Sequence, residues 1–382
     1  MSLEWNGRPA GGPLDLVRRL DLRVVVPALL LVAIGLWSIG AARPALVVPQ
    51  VRWCGAGLAL AAAATLIPYR RLLDLAWPIW GASIVLLLAV LVLGETRNGA
   101  RRWFSLGGVG LQPSEFAKAA HVLVLARYIR FRRDHRTFKG LFTPFAVTLV
   151  PMALIMAEPD LGTASMFVPV LFIMLWAAGA KTKHLLAVVL LGLASLPVLY
   201  ESLPRGNYQR QRIQAFLGLR PDAVEGRVVR PYDTFQRDNA IAAVARGGVS
   251  GHSPTEEEPE QFTRVPESWT DFVFVVHAEV WGFAGVVLLL GIWAALLGGL
   301  TMVASELKEP AARLVCAGAV GLLGTQACVN MAMTLGLLPI TGVPLPFVSY
   351  GGSSMLASWL LLALVLHAKA RQPVVFSAGD FD

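Results

Sequence analysis

A single carboxylate lies where a long polar stretch of the sequence turns back into an apolar one. The polar stretch ends at Pro266–Asp271, and an apolar run follows from position 272. A carboxylate at the mouth of an apolar helix loses part of its hydration, which raises its pKa and suits it to accept a proton. Asp271 is therefore a candidate general base. The alternative is a carboxylate that only stabilises the start of a helix through the helix dipole.

A second group of ionisable residues occupies a predicted helix that begins at Pro113. Glu115, Lys118 and His121 follow at spacings of three residues, which places them on one face of that helix. Ionisable groups at membrane depth face a bundle interior or a wet cavity. We expect Glu115 and Lys118 to contribute to a site, and an ion pair with a purely structural role is the alternative.

Apolar helices must position these groups. Of the 382 residues, 55% are hydrophobic and 15% are charged, and the mean hydropathy is +0.60. That much apolar surface cannot be hidden from water in a soluble protein of this length, so the chain is a polytopic membrane protein. We expect an all-α integral membrane fold, a ten-transmembrane-helix bundle that forms one domain over residues 1–382. Ten apolar runs approach the roughly 20 residues that a span requires: 24–41, 51–67, 75–94, 114–130, 141–157, 162–180, 184–200, 272–304, 311–336 and 351–369.

The basic residues between the runs predict the orientation. Taken alternately from the N-terminus, one set of segments carries 18 Lys and Arg residues, whereas the short loops of the other set carry 5. By the positive-inside rule both termini are cytoplasmic, and the long loop at about 201–270, between helices 7 and 8, is extracytoplasmic. The net charge of +8 thus reflects topology rather than nucleic-acid binding. Cys54, Cys316 and Cys328 fall inside predicted spans and are expected to be buried thiols.

Five unusual segments share the predicted outer face. The long loop among them contains a predicted amphipathic helix at about Thr234–Arg246, and a basic flap of this kind would suit a phosphate-bearing ligand. A surface loop without that role is the alternative. The other four segments are 99–118, 158–162, 266–271 and 337–354. We expect one outward-facing cavity lined by Glu115, Lys118, Asp160 and Asp271.

Four motifs in this order resemble the SEDS family (shape, elongation, division and sporulation). The resemblance covers nearly the whole chain from the first predicted span to the tenth. Pro339–Leu345 is more similar to the RodA-like elongation branch than to the division branch. The motifs are Gly-Ala-Arg-Arg-Trp at 99–103 with Gln-Pro-Ser-Glu-Phe-Ala-Lys at 112–118, Pro-Asp-Leu-Gly-Thr at 159–163, Thr-Asp-Phe-Val-Phe at 270–274, and the Gly- and Ser-rich segment 342–354.

The resemblance implies a peptidoglycan glycosyltransferase of the bacterial inner (plasma) membrane, with an extracytoplasmic active site that polymerises lipid II during elongation. It also implies a class B penicillin-binding protein as partner. The essential carboxylate of the family falls on Asp271, and its Gln-Pro-Ser-Glu motif falls on Glu115. Two positions depart from the family pattern: His277 replaces an apolar residue, and Val280 replaces a second acidic one. The role of His277 is open at this point.

The chemistry of that reaction fits the residues. The acceptor GlcNAc 4-hydroxyl needs a base, whereas the lipid pyrophosphate leaves as an anion that needs neutralisation. Asp271 would be the base, with inversion at the anomeric carbon. Arg102 or Lys118, with a divalent cation (Mg²⁺ or Mn²⁺) held by Asp271 or Glu115, would neutralise the pyrophosphate. The expected substrate-binding set is Glu115, Lys118, Arg102, Asp160, Ser349 and Tyr350.

Two other functional classes remain open from the sequence. A lipid II flippase or other transporter would also place charges in a polar cavity between spans. Such a protein needs polar groups in the inner half of the bilayer, or an internal repeat, whereas the notable residues here cluster at the predicted outer face. A noncatalytic scaffold for a transpeptidase would keep the cavity and make Asp271 dispensable.

Overall fold

The computed structural model describes residues 20–97, 100–106, 109–130, 132, 134–202, 208–218, 232–252 and 265–370. The acidic segment 256–260 and the glycines at 99, 107 and 108 lie outside these ranges. In chain order the α-helices are α1 (Leu22–Ala42), α2 (Val47–Leu66), α3 (Tyr69–Asp74), α4 (Ala76–Leu93), α5 (Pro113–Ile129), α6 (Phe142–Ala157), α7 (Leu161–Ser165), α8 (Phe167–Ala177), α9 (Thr182–Ser202), α10 (Tyr208–Leu217), α11 (Tyr232–Gly247), α12 (Val273–Glu306), α13 (Pro310–Thr334) and α14 (Gly352–Ala370).

The fold is helical, and eight helices in the described part of the chain are long and apolar enough to cross a membrane. They are α1, α2, α4, α6, α9, α12, α13 and α14. The other two predicted runs correspond to α5, which carries the charged residues Glu115, Lys118 and Arg127, and to the shorter apolar stretch Leu161–Ala177. A multi-pass membrane protein is therefore confirmed, and the count of ten spans stays a prediction.

A small sheet precedes α5 within the otherwise helical fold. Strands β1 (Glu95–Arg97), β2 (Ala100–Leu106) and β3 (Val109–Leu111) pair antiparallel in the order β1-β2-β3. Strands of three to seven residues in a Gly-rich segment show no clear alternation of apolar and polar residues, so the sequence pattern did not reveal them. The sheet ends at Leu111, two residues before Pro113, and therefore lies at the N-terminal end of α5.

Helix α5 lies in the interior of the bundle. It contacts α4, α6, α8, α13 and α14. Its side chains are buried along almost the whole helix, and Glu115, Lys118 and His121 are at most 4% exposed. The prediction that these ionisable groups face the bundle interior is confirmed.

The apolar surface of the outer helices is exposed, as expected for a chain surrounded by lipid. Val92 and Leu93 on α4 and Leu191 on α9 are each more than two-thirds exposed. The same geometry corrects one prediction: Cys54 and Cys316 are buried, whereas Cys328 is exposed. A position inside a span can face lipid as well as the interior, and the sequence alone did not separate the two.

Helix α12 is broken at Gly282, although the sequence predicts one continuous apolar run. Gly282 has φ +62° and ψ −162°, a conformation that only glycine adopts readily. The loop after α11 fills the break, because the amide of Phe283 donates to Gly248 O (2.9 Å) and that of Ala284 donates to Val249 O (3.1 Å). The backbone groups that the break frees are thus hydrogen-bonded, as burial requires.

We predict that Gly282→Ala lowers the free energy of unfolding by at least ~1–3 kcal/mol, the cost of forcing a non-glycine residue into this backbone region. An added Cβ would also overlap the backbone of Gly251. Thermal unfolding of the purified protein in detergent measures the effect. Gly291→Ala on the same helix is the matched control, because nothing lies within 4 Å of its added Cβ. Equal melting temperatures for the two variants would contradict the role of the break.

Candidate functional site

The non-helical segment between α13 and α14 holds the residues that precede Asp271. The hydroxyl of Ser349 donates to Thr270 O (2.6 Å) and accepts from the amide of Leu345 (2.8 Å). The amide of Tyr350 donates to Trp269 O (2.9 Å). Ser349 and Tyr350, predicted to bind substrate, therefore position the 269–271 turn in this structure. Their contact with substrate stays a prediction.

Asn330 on α13 fixes the main chain at Asp271 itself. Its side-chain amide donates to Asp271 O (2.8 Å) and to Val343 O (2.7 Å), and the residue is fully buried. Gly342, with φ +71°, lies against the Asp271 carboxylate, since an added Cβ would stand 3.3 Å from Oδ2. Asp271 is thus held through its backbone. Within the residues that the structure describes, no group donates a hydrogen bond to its carboxylate.

The environment of Asp271 raises its pKa towards neutral pH. Burial raises the pKa of the carboxyl to about 7, and the neighbouring carboxylates Glu267 and Asp160 add to the rise. The guanidinium groups of Arg212 and Arg102 act in the opposite direction and lower this pKa. A carboxylate with this pKa is partly deprotonated at neutral pH and is far more basic than an exposed aspartate.

Asp160 caps the short helix α7 and contacts the arginine from the sheet. Its Oδ1 accepts from the amide of Thr163 (3.0 Å), and its Oδ2 accepts from the Thr163 hydroxyl (3.0 Å). Arg102 Nη1 lies 3.8 Å from Oδ2, and the side chain of Gln112 lies 3.4 Å from the same atom. Asp160 is therefore the N-cap residue of α7 in this structure. Asp160 and Arg102 also both act on the Asp271 carboxylate.

Glu158 is a buried acid outside the predicted set of site residues. It is 1% exposed, and neither carboxylate oxygen has a hydrogen-bond partner in the described part of the chain. Burial raises its pKa to about 8; Asp160 raises the value further and Arg102 lowers it. Arg102 donates to the backbone oxygens of Glu158 (2.8 Å) and Pro159. The sequence does contain a signal for Glu158: it is a second carboxylate two positions before Asp160, and the connection between the two apolar runs is too short to reach bulk water.

Glu115 and Lys118 form a buried ion pair. Lys118 Nζ donates to Glu115 Oε1 at 2.7 Å, and the two side chains are 3% and 4% exposed. A small cavity beside the pair is also lined by Gln326 and Ser358. The ion pair weighed from the sequence is present, and its two charges neutralise each other. A role for either residue in binding substrate stays a prediction.

The segments predicted to converge do meet. Gly162 packs against the backbone of Thr341, where no Cβ would fit. The amide of Gln112 donates to the Ser353 hydroxyl (2.9 Å), which joins the start of α5 to the start of α14. Together with the contacts of Arg102, these interactions gather the sheet, the start of α7, the turn at Asp271 and the 337–354 segment around one site.

The described part of the long loop packs over the same region. Helix α11 confirms the amphipathic helix predicted at about 234–246, and Arg246 at its end forms an ion pair with Glu279 on α12 (2.8 Å). Glu279 is 3% exposed, and its backbone oxygen accepts from the amide of His252 (2.8 Å). This pair attaches α11 to the helix that follows Asp271, and the sequence analysis did not identify it.

His277 bridges the break in α12. Its Nε2 lies 3.0 Å from Gly285 O, beyond the break, and donates to that carbonyl oxygen because a carbonyl only accepts. Its Nδ1 lies 3.4 Å from the Ser38 hydroxyl on α1. The histidine that departs from the family pattern thus bonds to the backbone at Gly285, beyond the break, and joins α12 to α1.

The predicted cation site has no cluster of ligands. Among the residues that the structure describes, no group of three or more His, Cys, Asp or Glu side chains could hold a metal ion. Glu115, one of the two predicted ligands, is engaged by Lys118. Mg²⁺ is commonly bound by one or two carboxylates with substrate phosphates and water, and Asp271 fits that donor set. The cation stays a prediction.

Comparison with known sequences places the chain in a family. A sequence model of the FtsW, RodA and SpoVE cell cycle proteins matches residues 21–373. The chain belongs to the SEDS family. Among its relatives, the probable peptidoglycan glycosyltransferase FtsW of Geobacter sulfurreducens is 34% identical over 320 residues, covering 82% of this chain and 83% of that protein. The peptidoglycan glycosyltransferase RodA of Treponema pallidum is 28% identical over 388 residues, covering 85% and 89%.

Solved structures of the family share the fold. The crystal structure of RodA from Thermus thermophilus is 33% identical to this SEDS chain with a TM-score of 0.68, covering 93% of this chain and 98% of that one. A chain of a peptidoglycan synthase complex, studied for the coordination of polymerisation and crosslinking, is 34% identical with a TM-score of 0.77, covering 93% and 99%. Relatives named FtsW and relatives named RodA both match, so family membership alone does not assign the branch.

We predict that Asn330→Ala lowers both the stability and the activity of this SEDS protein. The change leaves the backbone oxygens of Asp271 and Val343 buried without their donor, at a cost of about 1–3 kcal/mol each. Thermal unfolding in detergent and a glycan polymerisation assay measure the two effects. The matched control is Gln326→Ala, one turn earlier on α13, because the side-chain nitrogen of the equally buried Gln326 has no hydrogen-bond partner. Equal losses of stability and activity in the two variants would show that Asn330 contributes only packing volume.

Proposed function

We propose that this SEDS protein is a peptidoglycan glycosyltransferase that polymerises lipid II into glycan strands during cell elongation. Family membership and the glycosyltransferase names of its relatives support the reaction class. The observation that carries the proposal is the Asp271 carboxylate, which is half-buried, accepts no hydrogen bond from the described residues, and has a pKa raised to about 7. The RodA-like sequence of Pro339–Leu345 supports the elongation role.

Asp271 acts as the general base in this proposal. It takes the proton of the acceptor GlcNAc 4-hydroxyl while the oxygen attacks C1 of the donor MurNAc from the face opposite the pyrophosphate, and the anomeric centre is inverted. Catalysis by a base is most efficient when its pKa lies near the working pH. Hydrogen bonds from Asn330 and Ser349 to the backbone hold this turn in place and leave the carboxylate oxygens available to the substrate.

The leaving pyrophosphate is neutralised by basic groups. Arg102 and Arg212 both act electrostatically on Asp271, so both lie close enough to respond to charge at the site. Asp160 and the carbonyl oxygens of Glu158 and Pro159 orient Arg102. A bound Mg²⁺ or Mn²⁺ would supply further positive charge to the pyrophosphate, with Asp271 as its protein ligand.

The membrane location and the partner of the protein follow from the same proposal. We assign the protein to the bacterial plasma membrane with both termini cytoplasmic and the Asp271 site extracytoplasmic, on the basis of the Lys and Arg distribution. The partner is a class B penicillin-binding protein, which would crosslink the strands. A structural neighbour of this chain comes from a peptidoglycan synthase complex, which supports an assembly of this kind.

We predict that Asp271→Asn reduces polymerisation of lipid II by about 10² to 10⁴. Asparagine keeps the size and the helix-stabilising polarity of the residue and removes only proton acceptance. The assay is incubation of the purified protein with lipid II, scored for glycan strands. Asp238→Asn on α11 is the matched control, because that side chain is exposed at 62%.

Near wild-type glycan yield from Asp271→Asn would remove Asp271 from the mechanism. A lipid II flippase or a noncatalytic scaffold for a transpeptidase would then be the better reading. Wild-type protein that moves lipid II across a vesicle membrane without polymerising it would identify the flippase.

We also predict opposite shifts of the pH profile in two variants. Polymerisation should rise through about pH 7 as Asp271 loses its proton. Arg102 lowers this pKa, so Arg102→Gln should move the midpoint to higher pH. Asp160 raises it, so Asp160→Asn, which keeps the helix cap, should move the midpoint to lower pH. Both variants also lose rate, so the midpoint of the pH profile is the readout. Shifts of the same sign would exclude Asp271 as the titrating group.

A further inference from the structure

A cavity of about 500 Å³ lies among the ends of α5, α8, α12 and α13. Its lining includes Ile129 at the end of α5, Trp176 at the end of α8, Ser305 at the end of α12 and Pro310 at the start of α13. Asp271 precedes α12 and therefore lies at the opposite end of that helix. The cavity is thus separate from the candidate active site. In the orientation predicted from the basic loops, it opens on the cytoplasmic side.

The rim of the cavity is basic. Arg130, Arg132 and Arg313 line it, and among the described residues that line it none is acidic. Arg130 forms an ion pair with Glu309 (2.5 Å), and Arg132 forms one with Asp134 (3.3 Å). The side chain of Arg313 has no hydrogen bond or ion pair within the part of the chain that the structure describes. The cavity therefore presents a guanidinium group that is available to an anion.

One nitrogen of a buried imidazole in this cavity has no partner among the described residues. His135 lines the cavity and is 3% exposed. Its Nε2 lies 3.1 Å from Ala178 O and must donate to it, whereas no described group forms a hydrogen bond with Nδ1. A buried polar atom without a partner is unfavourable, and a polar group of a ligand in the cavity would satisfy it.

The walls of the cavity are apolar. Ile173, Leu314, Ala317 and Val320 form the inner wall between α8 and α13. Trp176 at the end of α8 is 66% exposed, and exposed Trp side chains at the ends of membrane helices lie at the level of the lipid headgroups. A basic rim above an apolar wall fits a molecule with an anionic head and hydrocarbon chains. A soluble anion would fit the rim and leave the apolar wall without a partner.

We propose that this cavity binds an anionic phospholipid of the surrounding membrane. Arg313 and Arg132 donate to the phosphate diester, as guanidinium groups do in charge-assisted pairs, and His135 Nδ1 contacts the polar headgroup. The acyl chains follow the apolar wall between α8 and α13. Basic pockets between membrane helices on the cytoplasmic side recognise lipid headgroups by this chemistry. The bound lipid would join the ends of helices that carry the distant Asp271 site.

Native mass spectrometry of the purified full chain in a neutral detergent tests the proposal. Dioleoylphosphatidylglycerol is titrated against the wild type, Arg313→Gln and the double variant Arg132→Gln/Arg313→Gln. Dioleoylphosphatidylcholine is the neutral lipid probe. Arg71→Gln on α3 is the matched control, because it removes the same charge from an arginine that does not line the cavity. The exposed Arg313 has no side-chain partner among the described residues, so its replacement should leave the fold intact, and the melting temperature verifies this.

We expect the anionic lipid to bind the wild type more tightly than phosphatidylcholine, with an affinity about fivefold lower in Arg313→Gln and lower still in the double variant. Arg71→Gln should bind as the wild type does. An equal loss in Arg71→Gln would show general surface attraction and overturn the proposal. It would also fail if the wild type bound phosphatidylcholine equally well. Displacement of the lipid by millimolar inorganic phosphate would indicate a site for a soluble anion instead.

Discussion

The site depends on how two non-helical segments are kept hydrogen-bonded inside a helical bundle. Asn330 donates to one carbonyl on each of them, Asp271 O and Val343 O, from a fully buried position on α13. Backbone that leaves the helical ladder at membrane depth must find partners within the protein. Ser349 repeats this arrangement between Thr270 and Leu345. The polar side chains near Asp271 therefore bond mainly to backbone, which leaves its carboxylate oxygens uncommitted.

The carboxylates of Glu115, Asp160 and Asp271 differ in their charged and hydrogen-bonding partners, and these differences indicate different roles. Glu115 forms an ion pair with Lys118 at 2.7 Å, and the lysine balances its charge. Asp160 is fixed by the cap of α7 and by the guanidinium of Arg102. Asp271 receives only the longer-range influence of two arginines against two carboxylates, so burial dominates and its pKa rises to about 7. Asp271 and the neighbouring Glu158 are two acids near this site whose pKa is raised by burial and whose carboxylate oxygens have no hydrogen-bond partner among the described residues.

The sequence predicted the positions of the apolar helices and the convergence of the motif segments because both follow from local composition and order. Helix α11 was also predicted, from its amphipathic pattern and the glycines that end it. The break at Gly282 was not, because a glycine in an apolar run looks the same whether its φ is negative or positive. The backbone-holding roles of Ser349 and Tyr350 likewise depend on contacts 79 or more residues away in the chain, which no local pattern encodes.

The break in α12 divides the helix into a part that packs against protein and a part that can span the membrane. Beyond Gly282 the helix has the length and apolarity of a membrane span, whereas residues 273–279 before it are all buried against protein. The short first part is held by His277 across the break and by the ion pair between Glu279 and Arg246. Arg246 belongs to α11, which also contacts α10, the helix that carries Arg212. Since Arg212 lowers the pKa of Asp271, a displacement of this helical pair by substrate or a partner would change the basicity of Asp271 directly.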